Sequence, residues 1–259
     1  MLNDEQASLN EDVWTRGEFV GSYANRQLRG VEQVLLDRRR AALAGRVLEL
    51  GCGAGRLTGH LAELGGDVHG LDISPAMVAY CRATYPRASF SEGDMRDLSR
   101  FAAASFEVVL APFNVLDVLG DGERRRVLGE VGRILTPDGL FIGSSHNRCY
   151  VPRASITMRL LMGGTRRPWR SVRGLPRRLR NRRRLRLRER EEPGYALVND
   201  EAHEFSILHY YISRDAQYRQ LSEEGFEAIE CLDLDGREVP AGASASHCPE
   251  LHYVARPLR

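Results

Sequence analysis

Three glycines alternate with small residues in Gly51-Cys52-Gly53-Ala54-Gly55, directly after the apolar run Val47-Leu48-Glu49-Leu50. Glycine accepts the left-handed backbone of a tight turn and lets a ligand approach bare peptide groups. A helix starting beyond such a turn offers unpaired N–H groups and the positive end of its dipole. Together these suit a nucleotide phosphate or the carboxylate of an amino-acid-like ligand. A dinucleotide fingerprint spaces its glycines G-x-G-x-x-G. Here Arg56 follows Gly55 and the spacing is G-x-G-x-G, which argues against a NAD-dependent oxidoreductase.

Three further groups follow in order. Leu71-Asp72-Ile73-Ser74 offers a carboxylate that could take both hydroxyls of a ribose. Gly93-Asp94-Met95 sets a carboxylate, able to accept from an adenine amino group, beside an apolar side chain. Pro112-Phe113-Asn114-Val115-Leu116 comes next. Each falls at the carboxyl end of a successive expected strand, where ligands bind in open α/β sheets. For proton transfer the candidates are His146, His209 and Tyr211. His146, in Ser144-Ser145-His146-Asn147, has the ordinary imidazole pKa of about 6.5 that suits a base at neutral pH. It reads equally as a hydrogen-bonded residue that ends a strand. His209 and Tyr211 alternate on one face of Phe205–Ile212 with Tyr210 on the other. That face serves either as a pocket wall or as plain packing. Cys52 reads as a small structural residue, not a nucleophile.

The hydrophobic pattern supplies a scaffold to position these groups. Residues 10–43 read as helical, with Leu28, Val31, Val34 and Leu35 at helical spacing. From Arg46 short apolar runs alternate with helical stretches, the signature of a parallel sheet. Strands are expected at Arg46–Leu50, Asp67–Leu71, Ala88–Ser91, Phe106–Ala111 and Leu140–Ser145, then at Phe205–Ile212, Phe226–Leu234 and Leu251–Ala255. Ser74-Pro75 reads as a helix start, Arg124–Leu135 as a helix, and Thr136-Pro137-Asp138-Gly139 as the turn after it. Ser213 is expected to cap another helix, which Gly225 ends.

As a set, Glu49 to Arg56, Leu71 to Ser74, Gly93 to Met95, and Leu135-Thr136-Pro137-Asp138-Gly139-Leu140 resemble the class I S-adenosylmethionine-dependent methyltransferases, in the small-molecule branch. The resemblance implies an α/β, Rossmann-like fold with a seven-stranded, mostly parallel sheet. Its last strand, Leu251–Ala255, would run antiparallel between strands five and six. It implies that Gly51, Gly53 and Gly55 line the methionine moiety of S-adenosylmethionine, Asp72 the ribose, and Asp94 with Met95 the adenine. Ile73 would pack on the adenine's other side, and Tyr23 and Arg29 would reach the amino-acid end. Cys52, Gly93, Phe113 and Asn114 complete the expected cofactor-binding set, and S-adenosylhomocysteine would be the product. The chain then divides into an N-terminal helical lid (1–45), a cofactor-binding core (46–146), an arginine-rich insertion after strand five (147–204) and a completion of the sheet (205–259).

Composition narrows the remaining classes. Five cysteines without a C-x-x-C pair argue against a disulfide framework and a zinc site, and the seven histidines lack ligand spacing, so no metal is expected. The polar start Met1-Leu2-Asn3-Asp4-Glu5 and the lack of a long apolar run point to a cytoplasmic protein with no membrane partner. Every basic side chain is arginine, and thirteen of them lie between Arg166 and Arg190 with one acid, Glu189. Such a cluster can follow phosphates, which would make the acceptor RNA. A net charge of only +2 and the lack of an RNA-binding module favour a substrate cap or a homodimer contact. Membrane-surface binding is disfavoured because the apolar face is thin. The expected activity is methyl transfer to oxygen, nitrogen or an activated carbon such as indole in a small organic acceptor, in specialised metabolite biosynthesis. RNA methylation and a non-catalytic cofactor-binding protein are the alternatives.

Overall fold

A computed structural model describes Asn10, residues 27–150 and residues 175–258. Tyr23, with the first part of the expected N-terminal lid, and the first part of the arginine-rich stretch lie outside the described residues. The N-terminal helices are α1 (Gly30–Arg38) and α2 (Arg40–Leu43). The sheet then builds through β1 (Arg46–Leu50), α3 (Arg56–Glu63), β2 (Asp67–Asp72), α4 (Pro75–Thr84), β3 (Ser89–Glu92) and β4 (Phe106–Ala111). A 3-10 turn (Val115–Val118) leads to α5 (Asp121–Ile134) and the long β5 (Leu135–Asn147). The C-terminal part comprises α6 (Leu175–Leu185), β6 (Arg190–Glu191), β7 (Tyr195–Val198), β8 (His209–Ile212), α7 (Arg214–Glu223), β9 (Phe226–Leu232) and β10 (Glu250–Pro257).

β3, β2, β1, β4 and β5 pair in that order, all parallel. β10 lies antiparallel between β5 and β9. Strand alternation sends Leu48, Leu50, Val109 and Ala111 to one side, with Leu128 and Val131 of α5. Val47, Val108 and Leu110 face the other side, against Val31, Leu35, Leu57 and Leu61. Full burial of each such side chain contributes about 1.5–3 kcal/mol. Two-sided burial explains why β4 reads as a continuous apolar run.

The sheet differs from the expected seven strands, because ten are present among the described residues. The extra three are β6, β7 and β8, which branch from the end of β5 where it outruns β4. Only His146 and Asn147 pair there, with Tyr211 and Ile212. The expected strand Phe205–Ile212 is shortened to β8, because His203, Glu204 and Phe205 take left-handed backbone with φ of 49°, 58° and 60°. The turn expected at Thr136-Pro137-Asp138-Gly139 falls inside β5. α5 starts at Asp121, three residues earlier than expected, where Glu123 accepts from the Gly120 N–H at 3.1 Å. Ser213 does cap its helix, its Oγ accepting from Ala216 N, and Gly225 follows with φ of 82°. Among the described residues no helix is long and apolar enough to cross a membrane.

Arg124 of α5 is 2% exposed and joins four elements. Its guanidinium donates to Asp117 at 2.6 Å, Ser145 at 2.6 Å, Gln217 at 2.7 Å and Gln220 at 2.9 Å. Removing one partner of a buried ion pair strands the other charge. Arg124→Ala is therefore expected to cost about 3–5 kcal/mol in urea unfolding monitored by circular dichroism. A loss below about 1 kcal/mol would mean that Asp117 finds another partner.

Candidate active site

A cavity of about 660 Å³ runs along the carboxyl ends of β1 to β5, a size that holds a cofactor or a drug-sized ligand. At one end lies the glycine turn. Gly51, Gly53 and Gly55 have φ of 60°, 53° and 71°, the region that glycine alone adopts readily. A Cβ on Gly51 would meet Val115 Cγ2 at 2.1 Å, whereas one on Gly53 would meet nothing within 4 Å. Gly51 is thus glycine for packing as well as for backbone. Gly53 borders the cavity with open space over its Cα. Gly55 does not reach the cavity wall; it precedes α3 and packs against Cys81 and Tyr85.

Asp72 governs this turn. Its Oδ2 accepts from Gly53 N at 2.8 Å and its Oδ1 from Ser74 N at 2.9 Å. Burial raises its pKa, and these two N–H donors oppose the rise. Each oxygen keeps a further lone pair, so it can still receive a hydroxyl. Ile73, Gly93, Asp94 and Met95 line the same side, and Cys52 lies beside the turn. Asp94 is engaged by Arg96, which donates from its backbone N at 2.8 Å and from Nε at 2.7 Å.

The cavity floor near α1 holds a charged lattice. Arg56 grips Glu32 with two bonds of 2.6 and 2.5 Å, and Arg29 N–H donates to Glu32 at 2.7 Å. The guanidinium of Arg29 pairs with Glu250 and sits 3.6 Å from the Phe113 ring centre. Asn114 is 7% exposed, with its N–H on Ser144 Oγ at 2.8 Å and its Nδ2 on Glu250 at 3.3 Å. Its Oδ1 is buried with no hydrogen-bond partner. An orphaned acceptor in a cavity wall is an observation that a bound amino group would satisfy.

At the opposite end lie His146, His203 and His209. His146 Nδ1–H and its backbone N–H both donate to Asp117 Oδ2 at 2.7 Å. Burial works against a charged ring at His146. The hydrogen bond and charge of Asp117, with Asp200 and Glu250 beyond, outweigh it and hold the pKa above 6.5. His209 Nδ1 bonds Asp200 Oδ2 at 3.0 Å, and Tyr211 donates its OH to the same oxygen at 2.7 Å. Burial would raise Asp200, but these partners bring its pKa down to about 2. His203 is depressed to about 4 by burial and by the charge of His209. The His146 ring stacks on Tyr211 at 4.8 Å and lies 5.0 Å from the His209 ring. His146, His209 and Tyr211 are therefore brought together. Tyr211 stands behind His146, outside the cavity lining. Tyr210 faces the other way, stacked on Tyr195 at 4.7 Å. Among the described residues no cluster of three or more His, Cys, Asp or Glu is arranged to hold a metal.

Sequence reasoning missed Asp117, Asp200, His203, Glu250 and the role of Glu49. Asp117 sits three residues beyond Asn114, a spacing that could have suggested it. The others had no local signal, since they meet the site only through tertiary folding. Glu49, 3% exposed on the cavity wall, accepts from Thr58 Oγ1. Burial raises its pKa to about 7, against the lowering effects of Thr58 and Arg56. Below pH 4.5 it is neutral in both folded and unfolded chains. Between pH 4.5 and about 7 only the unfolded chain ionises freely, so the fold loses stability, and the deficit is constant above that range. It amounts to about 3 kcal/mol. Glu49→Gln should accordingly stabilise the protein at pH 8 and leave stability at pH 4.5 unchanged, by guanidinium unfolding at the two pH values. Equal stabilisation at both would contradict a carboxyl whose pKa burial raises.

Comparison with known proteins adds to this geometry. Residues 47–139 match the family described as "Methyltransferase domain". A probable S-adenosylmethionine-dependent methyltransferase of Mycolicibacterium smegmatis is 38% identical over 45% of this chain and 44% of its own length. A dTDP-3-amino-3,6-dideoxy-alpha-D-glucopyranose N,N-dimethyltransferase of Streptomyces fradiae is 34% identical over 41% of this chain and 42% of its own. The chain thus spans a little under half the length of these curated relatives. Among solved structures, the 1,6-didemethyltoxoflavin-N1-methyltransferase of Burkholderia thailandensis, with bound 1,6-didemethyltoxoflavin and S-adenosylhomocysteine, superposes with a TM-score of 0.61 and 15% identity. The match covers 98% of this chain and 90% of that one. Residues 47–139 thus match a methyltransferase domain in sequence, and nearly the whole chain shares the fold of a solved methyltransferase.

Proposed function

We propose that this protein transfers the methyl group of S-adenosylmethionine to a protic nitrogen or oxygen of a small organic acceptor. The observation that carries this reading is one continuous cavity, with an open glycine turn at one end and two carboxylate-backed imidazoles at the other. Left-handed Gly51 and Gly53, the spare lone pairs of Asp72 and the unpaired Oδ1 of Asn114 fit the methionine and ribose parts of the cofactor. When bound, that cofactor supplies a methyl group activated by a sulfonium. The chain's part is to orient the acceptor, exclude water and remove one proton.

His146 is suited to that proton. Its Nδ1–H is committed to Asp117, which fixes the tautomer and leaves Nε2 as the basic atom. An acceptor N–H or O–H would give its proton to Nε2 as the new bond to carbon forms. His209 is held the same way by Asp200. A nitrogen acceptor in specialised metabolism finds support in the activities named for the Streptomyces and Burkholderia proteins. An RNA acceptor has less support: Arg177 pairs with Glu204, and Arg178 and Arg182 lie over the Phe205 ring.

Isothermal titration should detect S-adenosylhomocysteine binding in the micromolar range (about −8 kcal/mol), weakened at least about tenfold by Asp72→Ala. NAD binding without S-adenosylhomocysteine binding would refute the reading. NMR titration of the His146 ring should give a pKa above 6.5 in the wild type. Asp117→Asn removes the charge that opposes burial, so the pKa should fall below 6.5. An unchanged value would remove Asp117 as the orienting partner.

A further inference from the structure

The strongest feature not absorbed by the cavity is α6 with the 3-10 turn Arg186–Arg188 that follows it. Between Pro176 and Arg190 the sequence carries nine arginines and one acid, in a chain whose whole net charge is +2. The inner side of α6 is fastened to the protein. Leu185 is fully buried, Asn181 Nδ2 donates to Glu204 O at 3.0 Å, Arg177 pairs with Glu204, and Arg182 covers the Phe205 ring at 5.0 Å. The outer side presents Arg180, Arg183, Arg184 and Arg186, all exposed and without an ion pair among the described residues. Interleaved with them are Leu179, 50% exposed, and Leu187, 93% exposed.

This charge density calls for a polyanion, and the leucines choose between kinds. Against a nucleic-acid backbone, exposed leucines would face phosphates and gain nothing, and single-stranded binding uses aromatic platforms. Among the described residues no exposed aromatic ring accompanies these arginines, and Phe205 is buried beneath the helix. At a bilayer surface arginines meet anionic headgroups while leucines enter the acyl boundary. The helix also rests on the Ala202–Phe205 turn, whose Ala202 and His203 line the acceptor end of the cavity.

We propose that α6 docks this protein on an anionic phospholipid surface and turns the acceptor end of the cavity toward it. The second half rests on the methyltransferase reading above, and implies an acceptor that partitions into lipid. The thin apolar face noted in the sequence makes the binding chiefly electrostatic, hence reversible and sensitive to salt.

The test is co-sedimentation of the full chain with phosphatidylcholine vesicles, with and without phosphatidylglycerol, and with polyuridylate as competitor. Binding should require phosphatidylglycerol and weaken with salt. Each basic side chain near such a surface is worth roughly fivefold in partitioning, so the combined variant Arg180→Ala, Arg183→Ala, Arg184→Ala should lose roughly a hundredfold. Leu187→Ser, which leaves the charge intact, should also lower vesicle binding. S-adenosylhomocysteine affinity and melting temperature should match the wild type in both variants, which separates this proposal from the donor site and from misfolding. Equal sedimentation of wild type and triple variant would overturn it. So would tight binding to polyuridylate with no phosphatidylglycerol dependence.

Discussion

The carboxylate of Asp72 accepts one hydrogen bond from the glycine turn after β1 and another from the residue that starts α4. Two crossovers of the sheet are thereby tied at the point where the cavity opens. The turn they hold is left-handed at three glycines, a conformation that other residues adopt at a cost of about 1–2 kcal/mol each. Its curvature lets Val115 press against Gly51 so closely that no side chain fits between them. Beside this turn lie the open space over Gly53, the 3-10 turn that carries Val115, and Phe113 and Asn114 against the charged lattice around Glu250.

The acceptor end is organised by a second carboxylate. Asp117 is fully buried and divides its oxygens, one to Arg124 and the other to His146. Arg124 holds α5, β5 and α7 together, so the residue that orients a proton acceptor also depends on the packing of the sheet. Asp200 differs: its partners are His209, Tyr211 and the backbone of Ala202, with no guanidinium among them. Asp117 thus serves His146 together with an arginine, whereas Asp200 serves His209 together with the Tyr211 hydroxyl. The two imidazoles are alike in geometry but unlike in electrostatics.

Much of this was legible in the sequence, for reasons that differ by region. β1 and β4 were readable because apolar runs between turn residues have few alternative structures, and the glycine spacing carries its own backbone demand. The C-terminal half was harder. β6 is two charged residues, β7 only four residues long, and β8 is cut short by three left-handed residues that no propensity favours. Glu49 was visible as a letter in a motif, yet its raised pKa comes from complete burial, a tertiary property. Asp200 and His203 reach the cavity only because β7 and β8 fold back onto the end of β5. The arginine-rich stretch was conspicuous in composition, but its inner and outer faces are distinguished only by the packing of Leu185 and Phe205.

The central claim is that one cavity joins a donor site at the glycine turn to an acceptor site at the histidines. A crystal structure of the S-adenosylhomocysteine complex tests it most directly. The account predicts the ribose on Asp72, the amino group within hydrogen-bond distance of Asn114 Oδ1, and the sulfur facing the His146–His209 end. Nucleoside bound elsewhere, or a sulfur turned away from both imidazoles, would contradict it.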